Sequence, residues 1–118
     1  MARENKELLL QDICARLPYG VKVKTNNINI LKLGTHTRVG EYVTDVVEPC
    51  KPYLFPLSSM TEEQSMEFAL LQVNTHKDGF LYVCDCANMM KWLLKNHFDI
   101  YGLIPKGLAT DCTNLNIY

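Results

Sequence analysis

Leu9, Leu10, Ile13, Cys14 and Leu17 recur at intervals of three and four, which predicts an amphipathic helix from Glu4 to Leu17 with these residues on its buried stripe. Pro18 disfavours helical backbone at Leu17, and Tyr19-Gly20 supplies a turn, so the helix ends there. The pattern then changes period. Val21-Lys22-Val23-Lys24-Thr25 alternates apolar and basic residues, as a half-buried strand does. Asn26-Asn27 can adopt the left-handed conformation of a tight hairpin turn, and Ile28, Ile30, Leu31 and Leu33 predict a second strand. Gly34-Thr-His-Thr reads as the next turn. Val39, Tyr42, Val43, Val46 and Val47, rich in β-branched residues, predict a third strand and hence an antiparallel meander.

Between Pro49 and Pro56 three prolines fall within eight residues, a density that argues against both a helix and an interior strand. The segment reads as an extended connector whose Tyr53, Leu54, Phe55 and Leu57 pack on the core. Ser59 with Glu62 and Thr61 with Gln64 form two overlapping capping boxes ahead of Phe68, Leu70 and Leu71, the best-marked helix start in the chain. A loop follows at 74–79. Phe80 to Cys84 reads as a short strand or as the lead-in to a helix from Asp85 to Asn96, whose stripe is Ala87, Met90, Leu93 and Leu94 with Met89 and Trp92 beside it. Residues 99–118 are irregular yet carry Ile100, Leu103, Ile104 and Leu108, enough to pack down. No repeat, linker or low-complexity tract interrupts the 118 residues. The expected architecture is one α+β domain over 1–118: an N-terminal helix, an antiparallel sheet of three or four strands, two further helices and an irregular C-terminal tail.

Composition narrows the functional classes. Twelve Lys and Arg against 13 Asp and Glu give a net charge of −1, so no overall field recruits polyanions. The apolar run Leu8-Leu9-Leu10 is too short for a signal-peptide core, and the longest apolar stretches are broken by Pro56 and Asp85. The expectation is a cytoplasmic protein without a membrane span. Five cysteines, Cys14, Cys50, Cys84, Cys86 and Cys112, are then expected as reduced thiols with no structural disulfide.

Several constellations could carry chemistry, and each has a plainer structural reading. Cys84 and Cys86 with His76 and His97 are zinc-type ligands, but a single intervening residue is not the usual spacing of structural zinc sites, and no metal or other cofactor is expected. Cys86 near a helix start is the one candidate for an activated thiol, and His97, roughly 16 Å along the same helix, is too far to serve it as base. His97 and Asp99 could act as an acid/base pair, but capping of a helix end accounts for both. No catalytic residue is assigned on these grounds. Lys22, Lys24, Lys32 and Arg38, with Tyr42 and Tyr19 to stack bases, outline a basic sheet face suited to nucleic acid, although Glu41, Asp45 and Glu48 share the region and a solvated strand face is the favoured account of the lysines. Pro49-Cys-Lys-Pro52 matches the minimal proline-recognition pattern, so Pro52, Tyr53 and Phe55 are candidate partner-binding residues if the connector lies on the surface; buried, it cannot be a ligand.

Three strings, 17–21 (Leu-Pro-Tyr-Gly-Val), 51–64 (Lys-Pro-Tyr-Leu-Phe-Pro-Leu-Ser-Ser-Met-Thr-Glu-Glu-Gln) and 95–109 (Lys-Asn-His-Phe-Asp-Ile-Tyr-Gly-Leu-Ile-Pro-Lys-Gly-Leu-Ala), resemble small uncharacterised proteins of phages, prophages and mobile elements of gut Bacteroidetes. The resemblance spans nearly the whole chain except 22–47 and the helix interiors. It implies a bacterial or phage-infected cytoplasm and an accessory role, and it brings no site residues with it. The leading expectation is therefore a non-enzymatic accessory protein acting through contacts with a protein partner or by self-association. A weak nucleic-acid-binding module on the basic sheet face comes second, and a small enzyme with a Cys/His site third.

Overall fold

A computed structural model describes residues 3–44, 48–76 and 83–118, with the side chains of 72–76 and 83–86 outside that description. Helix α1 (Arg3–Arg16) forms where the spacing places it, and a single 3-10 turn over Leu17–Tyr19 follows, closed by Gly20 at φ +72° with its N–H donating to the Leu17 carbonyl. The buried stripe of α1 differs from the apolar one. Leu9 and Ile13 are buried as expected, but their companions are Asp12 and Arg16, while Cys14 faces solvent. The i, i+3, i+4, i+7 spacing holds; what the helix buries along it is half ionic.

Strands β1 (Lys22–Lys24) and β2 (Leu31–Lys32) pair antiparallel, with Val23 opposite Leu31 and Lys22 opposite Lys32. The hairpin loop is wider than a two-residue turn. Thr25 holds its base, its N–H donating to the Ile28 carbonyl and its Oγ1 accepting from the Ile28 N–H, and Ile28 and Ile30, expected in the strand, are exposed. The expected third strand is a helix instead: Val39 precedes the one-turn helix α2 (Gly40–Val43), and Val39 and Val43, four apart, are both buried. Val46 and Val47 lie outside the described residues.

The proline segment supplies the strand that the meander lacks. Strand β3 (Lys51–Leu54) runs antiparallel to β1, with Val23 opposite Pro52 and Lys24 opposite Lys51, and its other edge takes β4 (Thr110–Asp111) in parallel, giving the order β2-β1-β3-β4. The sheet is thus mostly antiparallel with one parallel pair, and Pro52 sits in an interior strand, contrary to expectation. Geometry allows it. The Leu54 carbonyl accepts from Cys112 on the β4 side. Two residues earlier in the alternation, Pro52 points its missing N–H the same way, and β4 begins only opposite Tyr53. The ladder with β1 loses no donor.

Helix α3 (Glu62–His76) begins at the second capping box: Gln64 N–H donates to Thr61 Oγ1 and Thr61 N–H to Gln64 Oε1, while Ser59 instead belongs to a 3-10 turn over Leu57–Ser59. Helix α4 (Val83–Lys95) starts earlier than expected and takes in the last two residues of the possible strand at 80–84, whose first three lie outside the described residues. Phe68 stacks on Trp92 at 5.5 Å and Trp92 on Phe98 at 5.8 Å, so one aromatic column ties the α3–α4 pair to the body. The core cluster itself joins α1, the inner sheet face, α2 and the segment Leu103–Ala109, and takes no described side chain from α3. Accordingly the molecule is elongated, 49 × 28 × 26 Å, with a radius of gyration of 15.3 Å against the ~13.5 Å of a spherical domain of this size.

Candidate functional site

Among the described residues, three groups hold the chemistry: a buried ionic centre under α1, the outer face of the sheet, and the outer surface of the α3–α4 pair. The ionic centre begins with Asp12 and Arg16, one turn apart and both fully buried. Arg16 Nε and Nη2 donate to the two Asp12 oxygens at 2.8 and 3.0 Å, and Nη2 also donates to the Phe98 carbonyl at 2.6 Å. The pair therefore bolts α1 to the segment that follows α4. Burial raises the Asp12 pKa, against the hydrogen bond and charge of Arg16, and the Asp99 carboxylate pushes it the same way as burial.

His97 and Asp99, the sequence candidates for acid/base work, flank that carbonyl and are occupied structurally. His97 sits at φ +63°, and its ring lies flat against Tyr118 with centroids 3.5 Å apart and planes at 7°. Burial first, then the charges of Arg16 and Lys22, push its pKa down to about 4, so the ring is neutral at pH 7. Asp99 turns one oxygen to the Leu103 N–H and the other to the Ile104 N–H, which fixes the turn into the C-terminal segment. The clefts found on the described surface are lined by other residues. Arg16 Nη1 and His97 Nδ1 are buried without a hydrogen-bond partner among the described residues, a cost the surrounding contacts must cover.

Two of the three described thiols are poorly nucleophilic. Cys50 and Cys112 are buried, and burial pushes both up to about 11, with Asp111 adding to the shift at Cys112. Cys14 is exposed. The side chains of Cys84, Cys86 and His76 fall outside the described residues, and no cluster of three or more possible metal ligands occurs among those described.

On the sheet, the register decides which basic candidates meet. Cross-strand partners share a face, and so do residues two apart on a strand, so Lys22, Lys24 and Lys32 lie together on the outer face, with Val23, Leu31, Pro52 and Leu54 turned to the core. The same rule adds Lys51, which the connector reading left out; alternation of Lys51 and Tyr53 with Pro52 and Leu54 was the signal. Arg38 and Tyr42 do not join them. Arg38 is an exposed side chain beside Glu41 at 3.9 Å, and Tyr42, in α2, packs on the core. Lys22 is itself engaged: its Nζ donates to the Ile117 carbonyl and stands 5.5 Å over the Tyr118 ring. The Tyr118 hydroxyl accepts from the Lys22 N–H at 2.9 Å and donates to the Tyr53 carbonyl at 2.9 Å, bridging β1 and β3 where their ladder ends. Burial raises the Tyr118 pKa to about 12, so this bridge keeps its proton across the working range.

The partner-binding candidates of the proline segment are inside the fold. Pro52 and Tyr53 are buried in β3, with the Tyr53 hydroxyl donating to the Asn29 carbonyl at 2.6 Å, and Phe55 is half-buried between Phe98 and Tyr118. Pro52 and Tyr53 thus keep almost no surface of their own, while Lys51 is exposed and Phe55 and Pro56 stay half-buried. Among the described residues the most exposed apolar side chains are Met66 (68%) and Leu70 (61%) on α3; Met90 on α4 is exposed too, as are Ile28, Ile30 and Leu115 and, contrary to expectation, Leu57. Sequence reasoning placed Leu70 and Met90 on buried stripes and missed that α3 has apolar residues on two sides. No helix among the described residues is long and apolar enough to cross a membrane. Compared with family models, with curated proteins and with solved structures, the chain finds no match.

Proposed function

We propose that this chain is a non-enzymatic accessory protein, of phage or mobile-element origin and cytoplasmic, that acts through protein contacts made by the outer surface of the α3–α4 pair. One observation carries the reading. Helix α3 packs Phe68 toward α4 yet exposes Met66 and Leu70, a full turn apart, to solvent at 68% and 61%. A helix apolar on two sides is built to be covered on both. Covering what these two side chains still expose is worth roughly 1–2 kcal/mol each, a contribution toward the cost of association. The ionic centre supports the same reading, since its carboxylates and its guanidinium are committed to internal bonds. The resemblance to phage and mobile-element proteins supports the accessory role.

The test introduces a photo-crosslinking residue at Ala69, exposed on α3, and in a second sample at Thr113, exposed near β4. Expected is a discrete adduct from position 69, to a second copy or to a host or phage protein, that disappears in a Met66→Glu/Leu70→Glu background. No adduct from 69, or the same adducts from both positions, overturns the reading.

A further inference from the structure

Below the outer face of the sheet, the β1–β2 turn, the first turns of α1 and the loop before β4 enclose a cleft of about 690 Å³, a size typical of ligand sites. Its rim carries Lys24, Lys51 and Lys106 against a single carboxylate, Glu48, in a chain whose net charge is −1. The positive charge is therefore local. Lys24 and Lys51 stand directly opposite each other on neighbouring strands, an arrangement that repels, and none of the three lysines forms an ion pair among the described residues. The fold gains nothing from that opposition: both side chains point to solvent, while the core side of the same strands is filled by Val23, Pro52 and Leu54. The amide of Asn5 and the hydroxyl of Thr110 complete a lining of neutral hydrogen-bonding groups.

We propose that this cleft binds the phosphodiester backbone of a single-stranded nucleic acid, one phosphate to each of Lys24, Lys51 and Lys106. The occupant follows from charge and shape. Three ammonium groups call for an anion with several separated charges, and an open cleft without an aromatic wall recognises a backbone and not a base. This site is independent of the α3–α4 surface and goes beyond the protein-contact reading.

Binding of a fluorescein-labelled 12-nucleotide single strand is measured by anisotropy from 20 to 200 mM salt, with the full chain and its variants. Three phosphate contacts predict a slope of log K against log salt of about −2, and each lysine removed reduces it by about 0.7. Lys24→Gln/Lys51→Gln is expected to weaken binding at least tenfold at low salt and to leave a slope near −0.7. Lys91→Gln, an exposed cation on α4, leaves affinity unchanged, and Glu48→Gln tightens binding severalfold. Because all four positions are exposed, the variants keep their thermal unfolding midpoint, which a parallel melt confirms. No binding at 20 mM salt, a slope indifferent to Lys24→Gln/Lys51→Gln, or a mononucleotide that matches the 12-mer in affinity overturns the proposal.

Discussion

Removing the Asp12 carboxylate tests the central claim about the fold, that a buried ion pair and not an apolar stripe locks α1 in place. In Asp12→Ala the Arg16 guanidinium remains fully buried, losing both carboxylate bonds and keeping only the one to Phe98. An uncompensated buried charge of this kind costs about 3–5 kcal/mol, a third or more of the stability of an ordinary domain. Asp12→Leu/Arg16→Met removes both charges instead. It orphans the Phe98 carbonyl, at about 1–3 kcal/mol, and regains part of that by apolar packing. The double variant is therefore expected to be more stable than the single one. Urea unfolding followed by the fluorescence of Trp92, the only tryptophan, reads both, because its ring stacks on Phe98 beside the site. With a slope of ~1.5 kcal/mol/M, Asp12→Ala moves the midpoint down by about 2–3 M. A shift below 0.5 M, or a double variant less stable than the single, refutes the reasoning.

Three further outcomes are expected. The folded-state pKa of His97 is about 4 against the usual 6.5, so the unfolded chain takes up a proton that the folded chain refuses; the resulting stability is complete above pH 6.5 and disappears as the pH falls to 4. Discounted for the partial exposure of the ring it amounts to roughly 1–2 kcal/mol, and His97→Asn, which tolerates the φ of +63°, flattens the pH profile of urea midpoints between 6.5 and 4. Gly20→Ala forces φ +72° on a residue with a Cβ that meets only the flexible end of Lys32, so it costs about 1–2 kcal/mol of backbone strain and lowers the thermal midpoint by several degrees; an unchanged midpoint contradicts this. Native-state alkylation with peptide mapping labels Cys14 rapidly, while Cys50 and Cys112 react only after unfolding; rapid labelling of Cys50 would contradict its burial.

Much of the architecture was legible because local signals agreed with it. The Thr61–Gln64 box forms both of its reciprocal bonds, and Pro18-Tyr19-Gly20 ends α1. The failures have separate physical causes. Val39, Tyr42, Val43 and Val46 fit a helical period as well as a strand, and β-branching tipped the reading toward the wrong one. Pro52 was counted as a strand breaker, yet its missing donor faces a position that no partner occupies. Asp12 and Arg16 were invisible to a search for apolar stripes, although their i, i+4 spacing on the buried side was in plain view. Of the candidate sites, Lys22, Lys24 and Lys32 were placed on one face by alternation alone. Lys51 and Lys106 were not, since both depend on strands that pair across more than 20 residues of chain.

The Arg16 bond to the Phe98 carbonyl sets an order on folding during synthesis. Its acceptor lies 82 residues downstream. At about 5–20 residues per second, the ribosome delivers Phe98 some 4–16 s after Arg16. Throughout that interval α1 can pack Leu9 and Ile13 on the early strands and α2, and β3 can pair with β1, but the Arg16 guanidinium has only Asp12 to bond and the other edge of β3 has no neighbour. One corner of the nascent chain, under the C-terminal turn of α1 and along the free edge of β3, therefore closes last, when Phe98 and β4 emerge.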